Sequence, residues 1–597
     1  MMRRFIEDFA MIGDLHTAAL ISRDGNLDWL CLPRFDSDAA FCALLGTPEN
    51  GRWSMAPVDE IVAIERRYEP NTLILETTIR TRSGVVRLLD FMPRRKDGPM
   101  VVRIVRGISG TVAMETRIGC RFSYGRIPPW LQRRGDHVAM TIGADGIALR
   151  SSVELQIEPP DVVARFAVSK GKTETFVFEW HDSSRRAPRA RDAVKLLDET
   201  RARWRRWAAH CDYKGTHRRE VLRSLITLRA LIYDPTGGSV AAPTTSLPER
   251  LGGSSNWDYR YSWIRDSAFT VAALISCGYH RQAESWRDWL LRVLAGAPER
   301  LQIMHSITGE RRLEEFEADW LGGYEGSKPV RIGNQAYMQF QLGIYGHLMQ
   351  AIFAAHKQGL RINEQAWARL TRLIEHVAAV WQQPDSGIWE YRSRQEHYTL
   401  SRVMAWVAMD IAVRAVTEEG YEGPADRWQS VRDEIAAEIH ERAFNYRRNA
   451  FVEFYGSDDL DASLLLMPLF GFLPIDDDRW KGTLEAIERE LCIDGFVMRD
   501  SRHVQTGALS GAVPTEGAFV ACNMWLVENY AMAGRLAEAR ALFSRVLGIA
   551  NDVGLLAEEY DVRFRRQVGN FPQTFSHATL INAALRLRKA ESGKRRS

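Results

Sequence analysis

The spacing of apolar residues changes once along this chain, and that change constrains the fold more than any other feature. Up to about residue 185 the runs are short and alternate in polarity. Residues 18–22 meet an Arg-Asp-Gly-Asn turn, then residues 27–32 follow; Asp-Gly between such runs is a strong hairpin signal. Similar runs recur at 72–82, 85–92, 101–108, 111–118, 138–142, 147–157, 162–168 and 173–180, punctuated by Gly, Pro and Asp. Regular spacing of this kind predicts an antiparallel β-sandwich. Over residues 190–209 the period becomes helical, with Val194, Leu197, Trp204 and Trp207 near one face of a charged linker helix. From Val221 the helical period dominates and strands are nearly absent. Val221, Leu225, Leu228 and Ile232 share a stripe that Pro235-Thr236-Gly237-Gly238 ends. Helices are expected near 264–277, 280–295, 333–357, 364–381, 401–417, 424–442, 458–470, 478–490, 515–533, 535–548 and 573–588. Helix pairs separated by long irregular stretches suit a closed ring of helix hairpins with a site built from the loops at one end. A helical-repeat solenoid would need a fixed repeat period, and none is present. The expected division is an α+β multidomain chain: a β-sandwich over 1–188, a linker helix over 189–215, a helical domain over 216–590 and a basic tail over 591–597.

With 597 residues the chain is too long for one core. Its 79 Lys and Arg against 76 Asp and Glu leave no basic field for nucleic acid or an anionic membrane. Seven scattered cysteines, odd in number and without a CxxC, fit reduced thiols in a cytoplasm better than a disulfide framework. Acidic residues follow Arg3-Arg4 at once, so no signal peptide is expected, and no apolar run approaches a membrane span. HExxH, clustered His/Cys, EF-hand, GxSxG and GxxxxGK[ST] patterns are absent. No metal site is therefore expected. His397 and His577 read as hydrogen-bonded structural residues, and Arg34-Phe35-Asp36-Ser37 as a structural loop.

The irregular stretches of the helical half carry the chemistry. In Asn256 to Asp266, Trp257, Tyr259, Tyr261 and Trp263 alternate with polar residues and give an extended segment one aromatic face. Arg265-Asp266 then opens a helix. The pair reads either as a salt bridge with a helix-start carboxylate, or as a fork of donors and acceptors for vicinal sugar hydroxyls. Residues 321–334 are glycine-rich and suggest a tight loop before a helix; in 511–519, Thr515 and Glu516 are placed to open another. Glu390 lies in Gly387-Ile388-Trp389-Glu390-Tyr391-Arg392, and Glu558 far downstream in Ala557-Glu558-Glu559-Tyr560-Asp561. Two such carboxylates suit cleavage of a glycosidic bond with inversion. One carries a proton beside the leaving oxygen; the other is ionised and holds a water on the opposite face of the sugar. Trp389 lowers the polarity around Glu390, which raises a carboxyl pKa toward that of a working acid.

From Ile12-Gly13-Asp14 to Ile581-Asn582-Ala583-Ala584 the chain resembles glycoside hydrolase family 15, the glucoamylase and bacterial trehalase family. The most specific stretches are 242–249, 256–266, 387–392, 401–408 and 569–577, and residues 12–57 resemble the N-terminal domain of the trehalase-like branch. The resemblance implies a β-sandwich followed by an (α/α)6 barrel, inversion at an α-glucosidic bond and no organic cofactor. It leaves phosphate or Mg2+ dependence and a homo-oligomer open. By motif, Glu390 matches the general acid and Glu558 the general base, with Glu559 as its competitor. Arg265 and Asp266 match the pair that holds the non-reducing glucose, Tyr259 a tyrosine near the base, and Trp263 an aromatic wall; Trp257 and Trp389 complete the expected saccharide contacts. The implied substrate is trehalose, with maltooligosaccharides or isomalto-linked glucosides as the alternative and a non-catalytic sugar-binding protein as a remote one. A phosphorylase on a similar barrel is a further rival, against which the Glu558 match argues. The chain departs from the family pattern at Gly343, His347 and Leu400, where relatives carry Asp, Glu and His; these departures are expected to bear on the outer subsites.

Overall fold

The structure, a computed structural model, describes residues 4–297, 300–507 and 511–594. An N-terminal sheet domain is followed by a helical domain. The strands neighbour one another in the order Phe9–Gly13, Ala18–Ser22, Leu27–Cys31, Arg52–Pro57, Met100–Gly119, Thr173–Asp182, Asp145–Ser151, His137–Ile142 and Trp130–Arg134. These pairings are antiparallel. The turn expected at 23–26 joins Ala18–Ser22 to Leu27–Cys31. Gly25 has φ +83°, and a Cβ there would stand 2.6 Å from the Met55 carbonyl oxygen, so only glycine fits.

The strands expected at 101–108 and 111–118 are one strand, Met100–Gly119. Its first half pairs with Gly84–Phe91 and Thr173–Asp182, its second with Arg52–Pro57 and Asp161–Ser169. Ser109-Gly110 has the composition of a turn, but here it is where one strand passes from one half of the sheet to the other. Gly110 has φ +65° and lies against the Ser83 backbone.

The linker helix spans Ala193–Ala208, and the Asp192 carboxylate caps it by accepting from the Val194 and Lys195 amides. Its inward stripe begins at Ala193 rather than Val194, which is exposed. Ala193, Leu196 and Leu197 close a small core with Ile74, Leu89, Phe91 and Met100 of the sheet. At its other end Trp207 stacks on Tyr279 of the helical domain, with ring centroids 4.2 Å apart. The linker is thereby fixed to both domains.

In the helical domain Ile264–Ile275 packs on Gly343–Lys357, which packs on Thr399–Thr417. The series continues through residues 462–469 to Val520–Met532 and then Thr574–Lys594, which returns to Ile264–Ile275. A second set lies against it, including Arg218–Leu231, His280–Val293, Glu364–Val380, Ala425–Arg442 and Leu536–Ile549. Four expected helices differ. The one at 333–357 begins only at Gly343, because Asn334 caps a separate 3-10 turn, Gln335–Met338. The one at 458–470 is a 3-10 turn, Ala462–Leu465, and a short helix, Leu466–Leu469, where Pro468 has no amide hydrogen to give. The one at 515–533 begins at Val520, since Ala518–Phe519 is recruited into a small sheet beside Glu559–Asp561. The last continues past 588 to Lys594, held there by an Arg540–Glu591 ion pair of 2.8 Å. The first residues of the expected tail are thus helical, and 595–597 lie outside the described residues.

The domains meet behind the aromatic stretch 256–266. Trp29 donates its indole N–H to the Pro243 carbonyl at 2.8 Å. The buried Arg260 guanidinium pairs with Asp258 at 2.6 Å and donates to the Ser37 carbonyl at 2.8 Å and the Tyr124 hydroxyl at 2.9 Å. Residues 34–37 are accordingly a structural loop, with Arg34 bonded to Asp36 at 2.9 Å. His577 is structural too, within reach of Ser224 at 3.0 Å and accepting from the Leu556 amide at 3.2 Å. Among the described residues no helix is long and apolar enough to cross a membrane.

Candidate active site

Residues just ahead of several helices converge on a cavity of about 290 Å³. Trp263 ends a two-residue strand, and Arg265 and Asp266 follow in the first turn of Ile264–Ile275. Arg265 reaches its own neighbour, Nε to Asp266 Oδ1 at 2.8 Å, and donates from Nη1 to the Ile388 carbonyl at 2.6 Å. Arg265 thus joins the helix start to the loop that carries Glu390. In that loop Gly387 and Glu390 both adopt left-handed backbone, φ +67° and +62°. For a glutamate this conformation costs energy, which the surroundings must hold in place. Gln339 helps by donating its amide to the Glu390 carbonyl at 3.0 Å. The Glu390 carboxylate accepts from the Trp263 indole N–H at 2.7 Å and lies 3.4 Å from Arg265 Nη1. Burial raises its pKa, and Arg265 and the Trp263 bond oppose the rise.

Glu558 lines the same cavity immediately before the strand Glu559–Asp561. Its Oε1 accepts from the Tyr259 hydroxyl at 2.7 Å. Gly569, at φ +81°, closes against it: a Cβ there would lie 2.7 Å from the Glu558 Cβ. Glu559 points elsewhere; it is fully buried behind Gly517 and does not line the cavity. Carboxylate oxygens of Glu249, Glu558 and Glu559 lie within 4.8 Å of one another. Glu516 is close by, paired with Arg499 at 2.6 Å. Both Glu559 oxygens and Glu558 Oε2 find no donor among the described residues. Burial, then the neighbouring Glu249, lifts the Glu558 pKa well above its usual range, against the Tyr259 bond. Burial lifts Glu516 to about 8. An ionised base was expected here, and Glu558 sits among carboxyls whose charges oppose one another beside one guanidinium.

Aromatic residues form much of the remaining wall. Trp389 donates to Asp461 at 2.8 Å, and the Arg331 and Arg392 guanidinium carbons lie 4.5 and 4.1 Å from the Trp257 ring centroid. Trp257, Tyr259, Trp263 and Trp389 all line the cavity, but Tyr261 is buried away from it. The expected aromatic face therefore holds for three residues of four, because only Ser262–Trp263 of that stretch is extended into a paired strand. All eight expected site residues meet at this one cavity. Sequence reasoning gave no role to Glu249, Asn334, Arg499, Phe519 or Gln573, which also line it. Glu249 closes the motif Ser246-Leu247-Pro248-Glu249, which was a usable signal; Arg499 stands in no motif.

The departures at Gly343, His347 and Leu400 were expected to bear on the outer subsites. They surround a small recess beneath Arg265 and Ile388, and none lines the main cavity. Burial and the nearby Arg265 push the His347 pKa down to about 3, so the imidazole there is neutral. The recess backs the arginine that the cavity presents.

A helical domain that presents a small cavity, walled by indoles and furnished with titratable carboxyls, is an architecture suited to a glycoside hydrolase. Residues 215–585 match the family described as glycosyl hydrolases family 15, and residues 3–191 match the one described as trehalase-like, N-terminal. The chain belongs to glycosyl hydrolases family 15. It is 34% identical to a trehalase of Thermoplasma volcanium over 591 residues, covering 98% of this chain and 94% of that one. It is 36% identical to a trehalase of Mycobacterium tuberculosis, covering 98% and 90%. A bacterial glucoamylase solved with acarbose superposes with a TM-score of 0.72 at 11% identity over 98% of this chain and 94% of that chain, a likeness of fold.

Proposed function

We propose that this glycoside hydrolase cleaves α,α-trehalose to glucose with inversion, Glu390 acting as general acid and Glu558 as general base. The observation that carries the reading is the arrival of both carboxyls at one cavity, with Arg265 and Asp266 in the same wall. Glu390 gives its proton to the glycosidic oxygen as the bond from that oxygen to the anomeric carbon breaks. Glu558 takes a proton from water as the water oxygen bonds to that carbon from the opposite face. Arg265 and Asp266 hold hydroxyls of the glucose whose anomeric carbon is attacked, while Trp257 and Trp389 pack on apolar faces of the sugar. The end-to-end similarity to proteins named trehalase supports the substrate.

The same reading includes a β-sandwich followed by an (α/α)6 barrel. The cyclic packing of the helices, from Ile264–Ile275 round to Thr574–Lys594 and back, supports the barrel. Seven unpaired thiols support a reducing, cytoplasmic setting. Proton NMR during early turnover tests the chemistry. Each trehalose should yield one α-glucose and one β-glucose. Early release of α-glucose alone would mean retention, and faster turnover of maltose than of trehalose would move the substrate to a glucoamylase type.

A further inference from the structure

A second cavity, of about 570 Å³, opens where the sheet domain, the linker helix and the helical domain meet, away from the sugar site. Its lining carries seven basic side chains and three acidic ones. Two of the acidic groups are already engaged: Asp14 by Arg95 at 3.2 Å, and Asp234 by Arg229. The third, Glu199, lies on the exposed side of the linker helix. Arg94 and Lys96 come from the loop after Gly84–Phe91, Arg203 and Arg206 from the linker helix, and Arg281 from the start of His280–Val293. Among the described residues none of these five makes a side-chain hydrogen bond or ion pair. Arg203 is half-buried, and burial followed by the nearby Arg94 pushes its pKa down to about 10.

Cations from three separate segments that converge without partners repel one another, and the repulsion is relieved when a multiply charged anion sits among them. Guanidinium groups from separate segments suit a tetrahedral oxyanion, whose oxygens can each accept a charge-assisted bond. The cavity is also roomier than the sugar site and has Trp204 and Leu196 in its wall. We propose that this interdomain cavity binds a small molecule bearing a phosphoryl group, gripped by Arg203 with Arg94 and Arg281. A free phosphate ion and a phosphorylated metabolite share that chemistry.

Isothermal titration of the full-length protein with inorganic phosphate, sulfate, tripolyphosphate, glucose 6-phosphate and glucose separates these sources. Each titration is run on the parent chain, Arg203→Gln, Arg94→Gln and Glu390→Gln. At least one phosphoryl probe should bind saturably, weaken about tenfold or more in the two arginine variants, as loss of a charge-assisted contact requires, and keep its affinity in Glu390→Gln. Tight inorganic phosphate would identify the ion, and a preference for glucose 6-phosphate with the same arginine dependence would identify a metabolite. Binding that responds to Glu390→Gln but not to Arg203→Gln would assign the probe to the sugar cavity and overturn the proposal. So would equal, non-saturating responses to phosphate and sulfate, or no binding of any probe. Arg94 is exposed, so its variant keeps the test decisive if Arg203→Gln folds poorly.

Discussion

At Glu390 the half-buried carboxyl meets one indole N–H and one guanidinium; at Glu558 the buried carboxyl meets a phenol and lies beside two further carboxyls. Desolvation raises both pKa values. Their neighbours then act in opposite directions. Arg265 restrains the rise at Glu390, so that end is governed by a fixed ion pair. Glu249 adds to the rise at Glu558, so that end is governed by how many protons a group of carboxyls shares beside Arg499. An acid needs a proton it can release once, and a single tuned carboxyl provides it. A base must be ionised while buried, and sharing protons among Glu249, Glu558 and Glu559 lets one member carry charge while others stay neutral.

The largest effects test whether the two ends divide the work at all. Glu390→Gln and Glu558→Gln each keep shape and lose proton transfer. Each should lower kcat by roughly 10²–10⁴-fold with the thermal midpoint nearly unchanged, as loss of a general acid or base does. Near-parent turnover in either variant would remove that residue from its role. Smaller effects come from the donors that hold each carboxylate. Trp263→Phe and Tyr259→Phe each delete one hydrogen bond to a carboxylate, about 1.5–3 kcal/mol where the charge is fully expressed, or roughly ten- to a hundredfold in kcat/KM. Both bonds favour the ionised form. Their loss should therefore raise the affected pKa: the basic limb of the kcat/KM profile moves up in Trp263→Phe, and the acidic limb moves up in Tyr259→Phe. Movement of the same limb in both variants would erase the distinction between the ends.

Much of this was legible in the chain, for physical reasons that can be named. The change of period near residue 190 marks the change from sheet to helix because side-chain alternation and helical spacing differ. The eight expected site residues fall at one cavity because each lies in, or at the edge of, an irregular stretch dense in aromatics and charge. What failed depended on partners remote in sequence. Met100–Gly119 looked like two strands because Ser109-Gly110 has turn composition, while its partners on either side decide that it continues. The segment before Val520 looked helical because its pairing with Glu559–Asp561 is invisible locally. The carboxyl group around Glu558 was missed for the same reason: Glu249 and Glu516 are joined to it only by the fold.

Glu249→Gln has the smallest expected effect and the sharpest meaning. Its carboxyl lines the cavity, is 4% exposed and is bonded by the Trp257 indole, so glutamine fits the same space. The substitution removes a negative neighbour that raises the Glu558 pKa. Glu558 then holds its proton less tightly, and the acidic limb of the kcat/KM profile should move to lower pH. The plateau should stay within a few-fold of the parent, since both proton-transfer groups remain. The direction is opposite to that of Tyr259→Phe, although both residues lie beside the same carboxylate. A general loss of stability would move neither limb, and a direct role for Glu249 on the sugar would lower the plateau without shifting it. Only coupling among the carboxyls predicts a shift of the acidic limb down in one variant and up in the other.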